Sequence, residues 1–124
     1  MSGGDSISTG RQAWDVEDEF NRRFSGENPA VSGVFISLAG GIWVYHGAAS
    51  DYVVLRRLYC SCKGFQLSLH RGLPICKHLL GLEAAIARGS YKRLDVEPRR
   101  VAEIVSECLE AGLSVTLRRL LARG

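Results

Sequence analysis

Cys60, Cys62, Cys76 and His78 are the side chains whose types and spacing carry chemistry in this 124-residue chain. The pattern is Cys60-x-Cys62, a gap of thirteen residues, then Cys76-x-His78. Three thiolates and one imidazole make a tetrahedral zinc set. On an extended strand, residues i and i+2 point to the same side. Cys60 and Cys62 can therefore present both sulfurs to one ion. The second pair follows Pro74 and falls where a helical pattern begins. A metal there would clamp a β-ribbon to a helix. Lys63 and Lys77 each follow a ligand, and nearby cations stabilise thiolates. They also offset the net negative charge that zinc keeps with three thiolates.

Charge is distributed to match. The net charge of +3 divides into −4 over residues 1–55, +7 over 56–93 and zero over 94–124. The positive segment carries the Cys/His cluster. An anionic partner would select this arrangement. Arg56, Arg57, Lys63, Arg71, Lys77 and Arg88 are the candidate nucleic-acid contacts.

The elements that must position these residues are legible in outline. Residues 1–10 are polar and small and read as a disordered tail. Thr9 and Gln12 resemble a capping box, and Ala13, Val16, Phe20 and Phe24 predict a helix from about Arg11 to Phe24. Val34 to Leu38 and Ile42 to His46 predict a β-hairpin across Ala39-Gly40-Gly41. A third strand is expected from Tyr52 to about Tyr59. A fourth is expected at Phe65 to Leu69, where apolar and polar residues alternate. The period then changes. Leu79, Leu82, Ala85 and Ile86 predict a helix from Cys76 to Arg88, with Gly89 past its end. Pro98 suits a first helical position, and Val101, Ile104, Val105, Cys108 and Leu109 follow it at amphipathic spacing. Leu113, Leu117, Leu120 and Leu121 predict a last short helix. Their stripe is a candidate partner-binding face, rimmed by Arg118 and Arg119.

The stretch LYCSCKGFQLSLHRGLPICKHLLGLEAAI resembles a SWIM zinc finger, whose signature is Cys-x-Cys, a variable gap, then Cys-x-His. The resemblance covers about residues 52–88. It implies a ββα unit around Zn2+ and a role in binding DNA or protein, with no catalysis by the finger. A small chain of this kind is similar to the SWIM subunits of Shu-type recombination mediators. That similarity implies a RecA-family recombinase paralogue as partner. The Shu-type pattern continues to an alanine three residues after the histidine, where this chain has Gly81.

Other chemistries fit less well. CDGSH-type [2Fe–2S] sites also use three cysteines and a histidine, but with the histidine four residues after the last cysteine. A disulfide across one residue would be strained. His70 lies inside the Cys62–Cys76 gap as a competing ligand. His46 and Cys108 read as structural. No paired carboxylates, phosphate-binding Gly loop or Ser/His/Asp set appears. No apolar run is long enough to span a membrane. With no secretory signal, the chain reads as intracellular, and four cysteines there point to metal before disulfides.

The expected fold class is α+β, an N-terminal helix, a meander of three or four antiparallel strands, a zinc-clamped ββα unit and C-terminal helices. Residues 11–124 form one domain. The expected function is a non-catalytic SWIM accessory protein in DNA recombination or repair that binds a recombinase paralogue and DNA. The alternative is a protein-interaction module with no nucleic-acid contact. Neither needs a membrane or a small-molecule substrate.

Overall fold

A computed structural model describes residues 31–123. The expected tail over 1–10 and helix over 11–24 lie outside the described residues. The elements run β1 (Val34–Ser37), a 3-10 turn (Ala39–Gly41), β2 (Ile42–His46), β3 (Asp51–Leu55), β4 (Tyr59–Cys60), α1 (Lys63–His70), α2 (Lys77–Arg88), β5 (Lys92–Arg93), α3 (Pro98–Ala111) and α4 (Val115–Arg123). The fold is mixed α+β. No described helix is long and apolar enough to cross a membrane.

The five strands stand in the order β4-β3-β2-β1-β5. All neighbours are antiparallel except β1 and β5, which are parallel. Successive strand residues face opposite sides, and here both sides are covered. Phe35, Tyr45, Val54 and Cys60 pack with Leu79, Leu82 and Ala85 of α2. Ile36, Val44 and Val53 pack with Val101, Ile104 and Cys108 of α3 and Leu117 of α4. The sheet is thus the middle layer between two helical layers. This is why Phe35 and Ile36, adjacent in sequence, are both buried.

The β1–β2 hairpin forms as expected. The third and fourth strands differ from expectation. β3 stops at Leu55, where Leu58 N–H donates to Leu55 O at 2.9 Å. Arg57 takes a left-handed φ of 60°, and the chain folds back so that Cys60 pairs with Val54. β4 supplies the fourth antiparallel strand. The segment Phe65–Leu69 is instead part of helix α1. Cys62 caps that helix, its Sγ accepting the Phe65 N–H at 3.3 Å. Of the three alternating apolar residues only Phe65 is buried, while Leu67 and Leu69 are 60% and 53% exposed. The alternation therefore never faced a core. The unit that carries the three cysteines and His78 is a hairpin followed by two helices, not ββα.

The later helices match their signals. α2 starts from the extended backbone of Cys76 and ends on Gly89 in the left-handed region. α3 begins at Pro98 and buries Val101, Ile104 and Cys108, although Leu109 remains exposed. β5 carries no apolar pattern, and no sequence signal announces it.

Gly81 sits where α2 meets the sheet. A Cβ there would meet Val31 Cγ2 at 3.0 Å and the Phe35 ring at 3.4 Å. Gly81→Ala gains roughly 1 kcal/mol of helix propensity, offset by a displacement of half-buried Val31. We expect its urea midpoint to stay near the wild-type value. Gly81→Val must move buried Phe35 as well, and should cost about 1–3 kcal/mol in the same measurement.

Candidate metal centre

The four predicted donors come from three places. Cys60 ends β4, Cys62 keeps extended backbone as the cap of α1, Cys76 is the extended cap of α2, and His78 lies in the first turn of α2. All four are buried, and their ligand atoms lie within 4.8 Å of one another. His78 Nδ1 is 3.8 Å from Cys60 Sγ. Two sulfurs about 2.3 Å from a tetrahedral ion stand about 3.8 Å apart. A small contraction brings the donors to that geometry. The donor set, three sulfurs and a ring nitrogen with no fifth donor in the cluster, fits Zn2+. His70 lies exposed at the end of α1 and outside the cluster.

The thiols interact strongly. Cys60 is raised, chiefly because it donates to Cys62 and then to Cys76, with burial adding. Cys62 is lowered, chiefly by the hydrogen bond from Cys60 and then that from Cys76. Cys76 is lowered by Cys60, but its bond to Cys62 and its burial outweigh that and push it up to about 11. One negative charge is thus easily held among three sulfurs. Ionising all three calls for a cation at their centre, and zinc uptake therefore releases protons. The His78 ring is held by Tyr45 and Tyr52, with centroids at 4.4 and 5.1 Å.

The six candidate nucleic-acid contacts divide. Arg56 grips Glu83 through two hydrogen bonds, Nε to Oε2 at 2.7 Å and a terminal nitrogen to Oε1 at 2.9 Å. Arg57 Nε lies 3.5 Å from Glu83 Oε1. These two arginines are tied to the fold. Lys63, Arg71, Lys77 and Arg88 are exposed, and stand at or just past the ends of α1 and α2. Lys63 and Lys77 occupy first helical positions, where the helix dipole disfavours cations. The adjacent thiolates supply the compensating charge.

The expected partner stripe is mostly consumed by the fold. Leu117 is wholly buried, and Leu120 and Leu121 pack against the same core. Leu113 is half-buried. Arg118 does not rim an open groove. It forms a forked ion pair with buried Asp51, at 3.0 Å to each oxygen. His46 and Cys108 are structural, His46 bonding Asp51 at 2.8 Å and Cys108 lying in the α3 core.

Sequence reasoning missed Glu83 and Asp51. Glu83 is an acid inside an apolar run, which is itself a signal, since a buried carboxylate needs partners. Asp51 stands at the head of β3, ahead of the apolar residues 52–55, where it reads as a turn residue. Sequence reasoning also missed Arg100 and Arg123, which with Arg119, the expected rim residue, line one shallow cavity of about 110 Å³ between α3 and α4. Helical spacing relates Arg119 to Arg123, but nothing in the sequence brings Arg100 to them.

Residues 46–87 match the family model of the SWIM zinc finger. The matched stretch holds all four donors, Glu83, α1 and all of α2 but its last residue. No curated protein and no solved structure matches the chain.

Proposed function

We propose that this protein is a non-catalytic SWIM zinc-finger module that acts as an accessory factor in DNA recombination or repair. Its partner is a RecA-family recombinase paralogue, and its exposed cations contact DNA. The observation that carries the reading is the buried Cys60/Cys62/Cys76/His78 tetrad inside the SWIM match. Four protein donors close a tetrahedral zinc site, whereas a catalytic zinc keeps one position for water. The zinc then serves to present α1 and α2. Lys63, Arg71, Lys77 and Arg88 are the side chains those helices offer to phosphates. The recombination role rests on the resemblance to small SWIM subunits.

The test is DNA binding across a salt series, together with capture of a recombinase paralogue. Affinity should fall steeply with salt. Replacing Lys63, Arg71, Lys77 and Arg88 with glutamine should flatten the slope by about one unit for each phosphate no longer neutralised. An unchanged slope would remove these four from the interface, and Arg100, Arg119 and Arg123 form the next surface to substitute.

A second reading has its own support. Glu83 withdraws Arg56 and Arg57 from the basic segment, which leaves fewer cations for DNA. A protein-interaction module is the result if the isolated chain captures the paralogue but retains no DNA at low salt.

A further inference from the structure

We propose that Glu83, with Arg56 and Arg57, is a second clamp beside the metal, a set of positioning residues that governs how fast zinc leaves. The proposal rests on the zinc reading of the tetrad.

Glu83 is buried, 6% exposed, on the helix that carries His78. Arg56 and Arg57 sit in the β3–β4 turn, just before Cys60. The ion pairs therefore join the same two elements that the zinc joins, hairpin and α2, at a second point. A forked guanidinium–carboxylate pair fixes orientation as well as distance. Arg57 reaches Glu83 from a left-handed backbone, which side chains with a Cβ disfavour, so the turn is held in a shape its residue does not choose. A carboxylate this buried without its arginines would be costly, so the pairing is built in.

The consequence follows from how a chelate opens. Zinc leaves after one donor detaches and the ligand-bearing elements separate. A second tie between them keeps the detached donor close and raises its effective concentration. Recapture then competes with loss. No ligand is touched, so the donor set and its geometry should survive removal of the tie.

The experiment uses the full zinc-loaded chain. Zinc release to an excess of chromophoric chelator is timed, and unfolding of the same protein is followed by far-ultraviolet circular dichroism. Glu83→Gln should release zinc about tenfold faster or more, a factor of the size by which metal affinity falls when residues supporting zinc ligands are replaced. Unfolding of the zinc-loaded protein should accelerate by a clearly smaller factor. The visible spectrum of the cobalt-substituted variant should match wild type. Arg56→Lys keeps the charge, loses the fork and should fall between the two. If Glu83→Gln does not fold, Arg56→Lys and Arg57→Lys decide the matter by the same readouts, since both side chains reach solvent. Unchanged release overturns the proposal. So does release that accelerates only in step with unfolding, which would make the clamp merely structural. A wild-type chain that takes up no zinc would instead remove the metal site itself, and the clamp's role with it.

Discussion

Cys60→Ser should abolish stoichiometric zinc binding and melt α1, while the layer formed by α3 and α4 stays folded. Cys60 is completely buried at the centre of the tetrad. Serine keeps the size but is a far weaker zinc ligand than a thiolate. Apparent zinc binding in small fingers is worth on the order of 10–16 kcal/mol at neutral pH, against a net domain stability of about 5–15 kcal/mol. Losing most of it must cost local structure. The damage should be local because the two layers have separate cores. α1 is the weakest element. It has eight residues, buries only Phe65 and takes its cap from a zinc ligand. A helix that short is marginal in water by itself. Hydrogen exchange should therefore show α1 and the start of α2 unprotected in Cys60→Ser, with Val101 and Ile104 still protected. Chelation of zinc from the wild type should reproduce the pattern, and acidification should favour it, since protons compete for the thiolates. Cys108→Ala is the matched control. Its thiol is buried in the other layer and pushed up to about 12, chiefly by burial. It should keep zinc at one per chain. Zinc retained at that level in Cys60→Ser would end the tetrad assignment.

The donor set was legible because its information is local. Two pairs at a spacing of two residues, one where a β-ribbon ends in extended backbone and one at a helix start, bring four donors together once ribbon and helix pack. The same holds for β1, β2 and the helices after Pro74 and Pro98, where caps and apolar periods agree. α1 was misread because alternation of Phe65, Leu67 and Leu69 mimics a strand. The helix is closed at its start by the Phe65 N–H bond to Cys62 Sγ and at its end by Arg71, Gly72 and Leu73 N–H groups returning to Ser68 and Leu69, and the strand-like alternation hides both caps. The turn at Arg57 was missed for a related reason. No glycine marks it, because ion pairs to Glu83 and a ladder back to Val54 hold the left-handed backbone. β5 is two charged residues made a strand only by the exposed edge of β1. Long-range charge pairing was the least legible feature. Arg56, Arg57 and Arg118 read as free surface cations, yet each answers a buried acid distant in sequence. The basic segment thus overstates the charge it offers a partner, because Glu83, inside the apolar run of α2, takes up two of its arginines.

Asp51→Ala should destabilise the protein by about 3 kcal/mol and leave the zinc site filled. Asp51 is fully buried at the start of β3. Oδ2 accepts the Ser114 N–H at 2.9 Å and Arg118 Nε at 3.0 Å. Oδ1 accepts a terminal nitrogen of Arg118 at 3.0 Å and faces His46 Nδ1 at 2.8 Å. Its own N–H donates to Gly112 O at 2.8 Å, and Arg118 also donates to Gly47 O at 2.8 Å. One carboxylate thus docks the α3–α4 turn onto the β2–β3 turn. Removing one partner of a buried pair costs about 3–5 kcal/mol. Arg118 is 28% exposed, so water recovers part of the loss and the lower end applies. Urea unfolding at neutral pH reads this directly. Acid gives a second, independent check. Burial pushes the Asp51 carboxyl up, but hydrogen bonds from Arg118, Ser114 and His46, with the Arg118 charge, outweigh it and hold it below the usual 3.8. A carboxylate lowered in the folded state adds stability above its unfolded pKa and loses it as pH falls through the folded one. Asp51 should therefore contribute fully above about pH 4–5 and progressively less below it. Glu107 is also lowered, chiefly by the Thr116 N–H, and so also loses stability in acid, which makes the difference between wild type and Asp51→Asn the quantity to compare. That difference should shrink as pH drops below 4. A constant difference from pH 7 to 2 would mean that the carboxylate is not what holds the two turns together.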